Sequence, residues 1–229
     1  MSLYYPMMLK IEGSPCTVVG GGAVAQRKVE TLLEYGAVVT VISPSLTEKL
    51  KLLLENNKIH YKNKVYETGD LTGSFLVYGV TDDKIVNEKC KKEAESQNML
   101  VNIGDSPELS DFILPAVLKR GSLIITISTE GKSPALSRKI RRQLEILYDE
   151  SYDDLLETLG EIRTKALMEI PSIEDRKALF HQLVYDELDK LDKLELKRDM
   201  EELKKAMWEV YKYYTVKKGC QDEKNTNRL

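Results

Sequence analysis

Gly20-Gly21-Gly22-Ala23-Val24-Ala25 is the first stretch of this 229-residue chain whose residue types and spacing could do chemistry. It fits G-x-G-x-x-A, and it sits between a β-branched run at 17–19 and a helix-like run at 23–35. In that setting such a loop receives the pyrophosphate of a dinucleotide. Gly20 permits the tight turn, Gly22 lets backbone approach the phosphates, and Ala25 is small enough for helix and strand to pack closely. Free N–H groups and the positive end of the helix then face the anion. A glycine-rich turn without a ligand is the competing reading. The candidate cofactor contacts are Gly20, Gly21, Gly22, Ala23 and Val24 in the loop, and Ser43 and Pro44 after the second strand. Thr81, Asp82 and Asn102 follow or close later strands and complete the set. Thr81 or Asp82 could equally cap the helix that follows, and Asn102 could equally fix its loop. The acid that usually holds the ribose at the end of the second strand is missing. Val41-Ile42-Ser43-Pro44-Ser45 offers only hydroxyls, so charge does not choose between NAD and NADP.

A second chemistry belongs to Asp105. It follows the apolar run 100–103, and open α/β sheets bind ligands beyond the carboxyl ends of their strands. A carboxylate there could accept a proton as a hydride leaves, or hold an incoming metal ion. The composition Gly104-Asp105-Ser106-Pro107 also suits an ordinary turn. Asp111 reads as structural. A third group is cationic: Lys119, Arg120, Lys132, Arg138, Lys139, Arg141 and Arg142 fall within 24 residues. On a helix from Pro134, Arg138 and Arg142 share a face. Such a group suits an anionic ligand or a solvated helix face. It lacks the interleaved aromatics of a nucleic-acid surface, and the whole chain carries net charge −3.

Other chemistries have little material. The histidines are only His60 and His181, so neither a His-rich metal site nor a His-based triad is expected. Cys16, Cys90 and Cys220 form neither a disulfide framework nor a zinc spacing, which suits a reducing cytoplasm. Cys16 reads as a small core residue. Residues 1–13 lack the basic and apolar blocks of a signal peptide, and no run approaches a membrane span.

The elements that must position these residues follow from periodicity. Strands are expected at 16–19, 38–42, 75–80 and 100–103, with His60 in a polar edge strand. Helices are expected at 23–35 with Gly36 after it, at 45–56 with Ser45 as N-cap, and at 82–97. Strands alternating with helices imply βαβ units and a parallel sheet. Further strands are expected at 112–118 and 122–128, then a helix over 134–148 starting at Pro134. Long helices are expected at 173–191 and 195–214, with fraying over 217–229. Net charge divides with these regions: −3 over 1–114, +5 over 115–145 and −5 over 146–229. The fold class is α/β: a Rossmann-like parallel sheet, then a small α+β segment, then an α-helical C-terminal region.

Several motifs together resemble one family. They are Pro6-Met7-Met8-Leu9, the glycine loop continued through Gln26-Arg27-Lys28, and Val80-Thr81-Asp82-Asp83. Val101-Asn102-Ile103-Gly104-Asp105, Asp111-Phe112-Ile113-Leu114-Pro115-Ala116 and Ser128-Thr129-Glu130-Gly131-Lys132-Ser133-Pro134-Ala135 complete the series. Over roughly residues 1–150 the chain resembles precorrin-2 dehydrogenase, a module that also forms the N-terminal part of siroheme synthases. The resemblance implies NAD-dependent dehydrogenation of precorrin-2 to sirohydrochlorin, with Asp105 matching the catalytic aspartate of an N-x-x-D motif. It implies Thr129 near the substrate, where a relative carries a serine, with Ser133 the other hydroxyl of that loop; a substrate rich in carboxylates then suits Lys132, Arg138 and Arg142 as cationic contacts, a solvated helix face being the competing reading. It also implies a homodimer whose active site borders both chains. The corresponding organisation is an NAD-binding Rossmann domain over 1–113, a dimerisation and substrate-binding segment over 114–150, and a helical domain over 151–229. Some relatives also insert Fe²⁺ into sirohydrochlorin, in which case Asp105 would face the metal; no other metal ligand is assigned. A non-catalytic NAD(H)-sensing module is the alternative from a different class. No nucleic-acid or membrane partner is expected.

Overall fold

The computed structural model describes residues 4–104, 106–187 and 200–226, with side chains described as far as Val216. Asp105 lies outside the described residues, as do 188–199, into which both long-helix expectations reach. The chain divides into two compact units. The first comprises Met1–Leu114 with Thr129–Ser133, and the second comprises Pro115–Ser128 with Pro134–Leu229.

The first unit is a five-stranded parallel sheet. Its strands are β1 (Pro15–Val19), β2 (Val38–Ile42), β3 (His60–Lys62), β4 (Leu76–Gly79) and β5 (Leu100–Ile103), in the order β3-β2-β1-β4-β5. Helices α1 (Ala23–Glu34), α2 (Glu48–Glu55) and α3 (Lys84–Ser96) make the crossovers. This is the Rossmann order, with its crevice between β1 and β4. Alternation along the strands divides the core in two. Val18, Val39, Val41, Leu76 and Tyr78 pack with Ala25, Val29 and Leu32 of α1 and Leu50 of α2. Val19, Ile42, Val77, Val101 and Ile103 pack with Cys90 and Ala94 of α3. Cys16 and Cys90 are core residues whose thiols burial pushes up to about 11 and about 12, so neither is a thiolate at neutral pH.

The free edge of β5 is covered by the chain that returns after it. Asp111 Oδ2 accepts the Val101 N–H at 3.0 Å, and Ser110 Oγ accepts the Ile103 N–H at 2.9 Å. Asp111 also takes Lys91 Nζ at 2.6 Å, which gives it the structural role its sequence setting suggests. These side chains satisfy backbone donors that a further strand would otherwise take.

In the second unit β6 (Ala116–Arg120) and β7 (Leu123–Ile127) form an antiparallel hairpin. Helix α4 (Pro134–Leu147) begins at Pro134 as expected, and α5 (Ser151–Glu169) and α6 (Ile173–His181) follow. A π-helical turn spans Gln182–Glu187, and α7 (Met200–Thr226) continues past the position where polar composition predicts fraying. Leu155, Ile162 and Ala166 of α5 pack with Leu179 and Leu183, and with Leu203, Met207 and Tyr211 of α7. Among the described residues no helix is long and apolar enough to cross a membrane.

Two helix starts differ from expectation. Helix α2 is capped by Thr47, whose Oγ1 accepts the Leu50 N–H at 3.3 Å, so the helix begins later than Ser45. Ser45 is committed elsewhere, its N–H donating to Ser43 Oγ at 3.4 Å. Helix α3 is capped by Asp83, which accepts from Ile85 and Val86, and not by Thr81 or Asp82.

Candidate functional site

The carboxyl ends of β1, β4 and β5 are joined by backbone. Val80 N–H donates to Val19 O at 2.9 Å, and Gly104 N–H donates to Gly79 O at 3.0 Å. Gly20 turns the chain out of β1 at φ +124°, and a β-carbon there would lie 2.7 Å from Val80 O. The tight turn assigned to Gly20 is therefore required by both conformation and space. The other two loop glycines have opposite surroundings. A β-carbon on Gly21 would lie 1.9 Å from Ser45 O and 2.7 Å from Ser43 Oγ, so Gly21 is glycine because loop 43–47 packs on it. Gly22 has an ordinary extended backbone (φ −83°, ψ −171°) and, among the described residues, nothing within 4 Å of where its β-carbon would be. Nothing among the described residues demands glycine there. Gly22 is also the N-cap of α1 with no side-chain capping bond, and Ala23 and Val24 behind it are exposed. A helix end without a side-chain cap, beside open space at a glycine, fits a phosphate group. Ala25 is fully buried against the sheet, as close packing of helix and strand requires.

The remaining cofactor candidates occupy different depths. Ser43 is 6% exposed and turned inward, with its carbonyl accepting from Tyr61 OH at 2.9 Å. Pro44 and Ser45 are exposed beside it. Thr81 is half-buried and locked to Asn87: Thr81 N–H donates to Asn87 Oδ1 at 3.2 Å, and Asn87 Nδ2 donates to Thr81 O at 2.9 Å. Asp82 is exposed. Asn102 is 7% exposed and donates through Nδ2 to Phe112 O at 3.0 Å. Its Oδ1 is buried and has no hydrogen-bond partner among the described residues. An acceptor left unmet at the carboxyl end of β5 is the kind of group a bound carboxamide or hydroxyl satisfies. Asn87 was missed by sequence reasoning; an asparagine at the fourth position of a helix, a type that helices disfavour, was the available signal.

The substrate candidates divide between the two units. Thr129, Lys132 and Ser133 belong to the first, where Thr129 Oγ1 accepts the Ser133 N–H at 3.0 Å and Thr129 O accepts the Lys132 N–H at 2.9 Å. Arg138 and Arg142 belong to the second, exposed on α4, while Arg141 beside them is paired with Glu145. His60 is exposed on the edge strand and His181 stacks on Tyr185. Among the described residues no three His, Cys, Asp or Glu side chains cluster as metal ligands.

The sheet order and the glycine loop define a Rossmann dinucleotide-binding protein. The NAD(P)-binding family model matches residues 7–116, and the model described as sirohaem biosynthesis protein central matches 120–146. The chain is 35% identical over 180 residues to a siroheme synthase of Vesicomyosocius okutanii, covering 79% of this chain and 39% of that protein. It is 37% identical over 174 residues to a siroheme synthase of Ruthia magnifica, covering 76% of this chain and 37% of that one. It thus spans about two-fifths of the length of these curated relatives. Among solved structures, the precorrin-2 dehydrogenase SirC superposes with a TM-score of 0.74 at 27% identity, covering 90% of this chain and 100% of SirC. The chain is thus similar over most of its length to part of the siroheme synthases and, in fold, to a precorrin-2 dehydrogenase.

Proposed function

We propose that this protein is an NAD-dependent dehydrogenase that converts precorrin-2 to sirohydrochlorin in siroheme biosynthesis. The observation that carries this is that one chain holds the NAD(P)-binding segment and the sirohaem-specific segment in succession, in the fold of a precorrin-2 dehydrogenase. NAD⁺ bound at the glycine loop would supply the hydride acceptor. Gly22 and the first amides of α1 receive the phosphates, and Gly20, Gly21, Ala23 and Val24 shape that loop. Ser43 and Pro44 border the ribose side, Thr81 and Asp82 line the crevice after β4, and Asn102 offers Oδ1 to a donor on the cofactor. Asp105 is the general base, taking the proton that leaves the tetrapyrrole as the hydride departs.

The substrate's carboxylates are met by Lys132, Arg138 and Arg142, with the hydroxyls of Thr129 and Ser133 as further contacts. In this reading residues 1–113 bind NAD, 114–150 serve substrate and dimer contacts, and 151–229 form a helical domain. The protein is a cytoplasmic homodimer. Support for the dimer comes from exposed Val117, Leu136, Ile146 and Leu147 in the second unit.

The test of the proposed chemistry is Asp105→Ala. Conversion of precorrin-2 should fall by at least about a thousandfold, the scale of a lost general base plus its hydrogen bonds, while NAD⁺ affinity measured by titration stays near that of the unsubstituted protein. Turnover at the unsubstituted rate would remove Asp105 from the mechanism.

A further inference from the structure

The loop 43–47 carries no acid to grip a ribose, so its position relative to the phosphate loop must do what a charge does elsewhere. One residue fixes that position. The Thr47 N–H donates to Gly21 O at 3.1 Å, tying the loop to the glycine turn. Its hydroxyl donates to Gln26 Oε1 on α1 at 2.8 Å and accepts the Leu50 N–H of α2 at 3.3 Å. Gln26 Nε2 in turn donates to Glu30 Oε1 at 3.2 Å, and Glu30 is met by Lys49 of α2 at 2.7 Å. The Lys49 ammonium holds the Glu30 carboxyl below the usual carboxylate range, keeping it an acceptor for both. Thr47, Gln26, Glu30 and Lys49 therefore close a chain of polar contacts between the first two turns of α1 and the start of α2. The Ser45 carbonyl packs directly on the α-carbon of Gly21 inside it.

We infer that Thr47, seconded by Gln26, is a positioning residue for the cofactor: it locks the ribose-side loop to the phosphate loop so that both meet the dinucleotide as one preformed surface. This rests on the dinucleotide reading of the site. Thr47 touches no ligand itself; it acts through Gly21 and the backbone of 43–45, and it lowers the ordering cost that binding would otherwise carry.

The experiment is titration of the full-length protein with NAD⁺, alongside thermal melting, for Thr47→Val, Thr47→Ser and Gln26→Met. Thr47→Val removes the hydroxyl and should raise the Kd about tenfold, whereas Thr47→Ser keeps it and should stay within about twofold. Gln26→Met leaves the α2 cap intact; it should raise the Kd about threefold to fivefold with the melting temperature within about 2 °C of the unsubstituted protein. Unchanged affinity in Gln26→Met, a Thr47→Ser variant as weak as Thr47→Val, or affinity losses that merely track melting temperature would each overturn the inference. If the unsubstituted protein itself fails to bind NAD⁺, the dinucleotide reading falls, and the inference with it.

Discussion

A β-carbon at position 21 would collide with Ser45 O at 1.9 Å, whereas one at position 22 would meet nothing within 4 Å among the described residues. The two substitutions should therefore separate folding from binding. Gly21→Ala must displace loop 43–47, so both melting temperature and NAD⁺ affinity should fall. Gly22→Ala fits the folded chain and should melt like the unsubstituted protein, yet weaken NAD⁺ by about tenfold or more because its methyl meets the phosphates. An unchanged NAD⁺ titration for Gly22→Ala would mean that the phosphates do not approach this backbone. Residue identity alone showed the G-x-G-x-x-A pattern, but it could not assign different reasons to adjacent glycines. That difference depends on how the chain around Ser45 packs back on the glycine turn, and sequence spacing does not carry it. The same is true of Asn102, whose type allowed either a loop-fixing or a ligand-binding part. Its Nδ2 does the first, and its unpartnered Oδ1 leaves room for the second.

At the level of elements, periodicity was a good guide wherever one face is buried. Strand β5 and the start of α4 fall where the apolar runs and Pro134 place them. The misplaced caps have one cause. At 45–48 and at 81–84 several capping residues stand side by side, and tertiary contacts choose among them. Ser45 is held by Ser43, and Thr81 by Asn87, leaving Thr47 and Asp83 to cap. The expected strand at 112–118 begins only at Ala116 because the chain before it covers the β5 edge through Ser110 and Asp111. On α4 the amphipathic pattern leaves Arg138 and Arg142 exposed on one face, while Arg141 is neutralised by Glu145. Reversing both charges, Arg138→Glu with Arg142→Glu, should raise the KM for the tetrapyrrole by about tenfold or more with little change in the KM for NAD⁺. Equal effects on both would make these ordinary surface charges.

For the whole molecule, the net charge of −3 conceals its parts: an acidic sheet region, a +5 segment and an acidic helical region. The scarcity of histidine leaves carboxylates to handle protons, which is why the reading turns on an aspartate. The helical packing of Leu155, Ile162, Met207 and their neighbours was visible only as a general periodicity, because long-range helix pairing has no local sequence mark. The hairpin and the exposed Leu136 and Ile146, the latter 82% exposed, should be covered by a second copy. Sedimentation equilibrium should give twice the 26.1 kDa chain mass, and Ile146→Glu should shift it toward the monomer. A monomer at micromolar concentration would contradict the dimer. The most direct test of the central claim is spectroscopic. Purified protein supplied with precorrin-2 and NAD⁺ should generate the sirohydrochlorin spectrum together with an equal amount of NADH. No NADH above a control without enzyme would contradict the account.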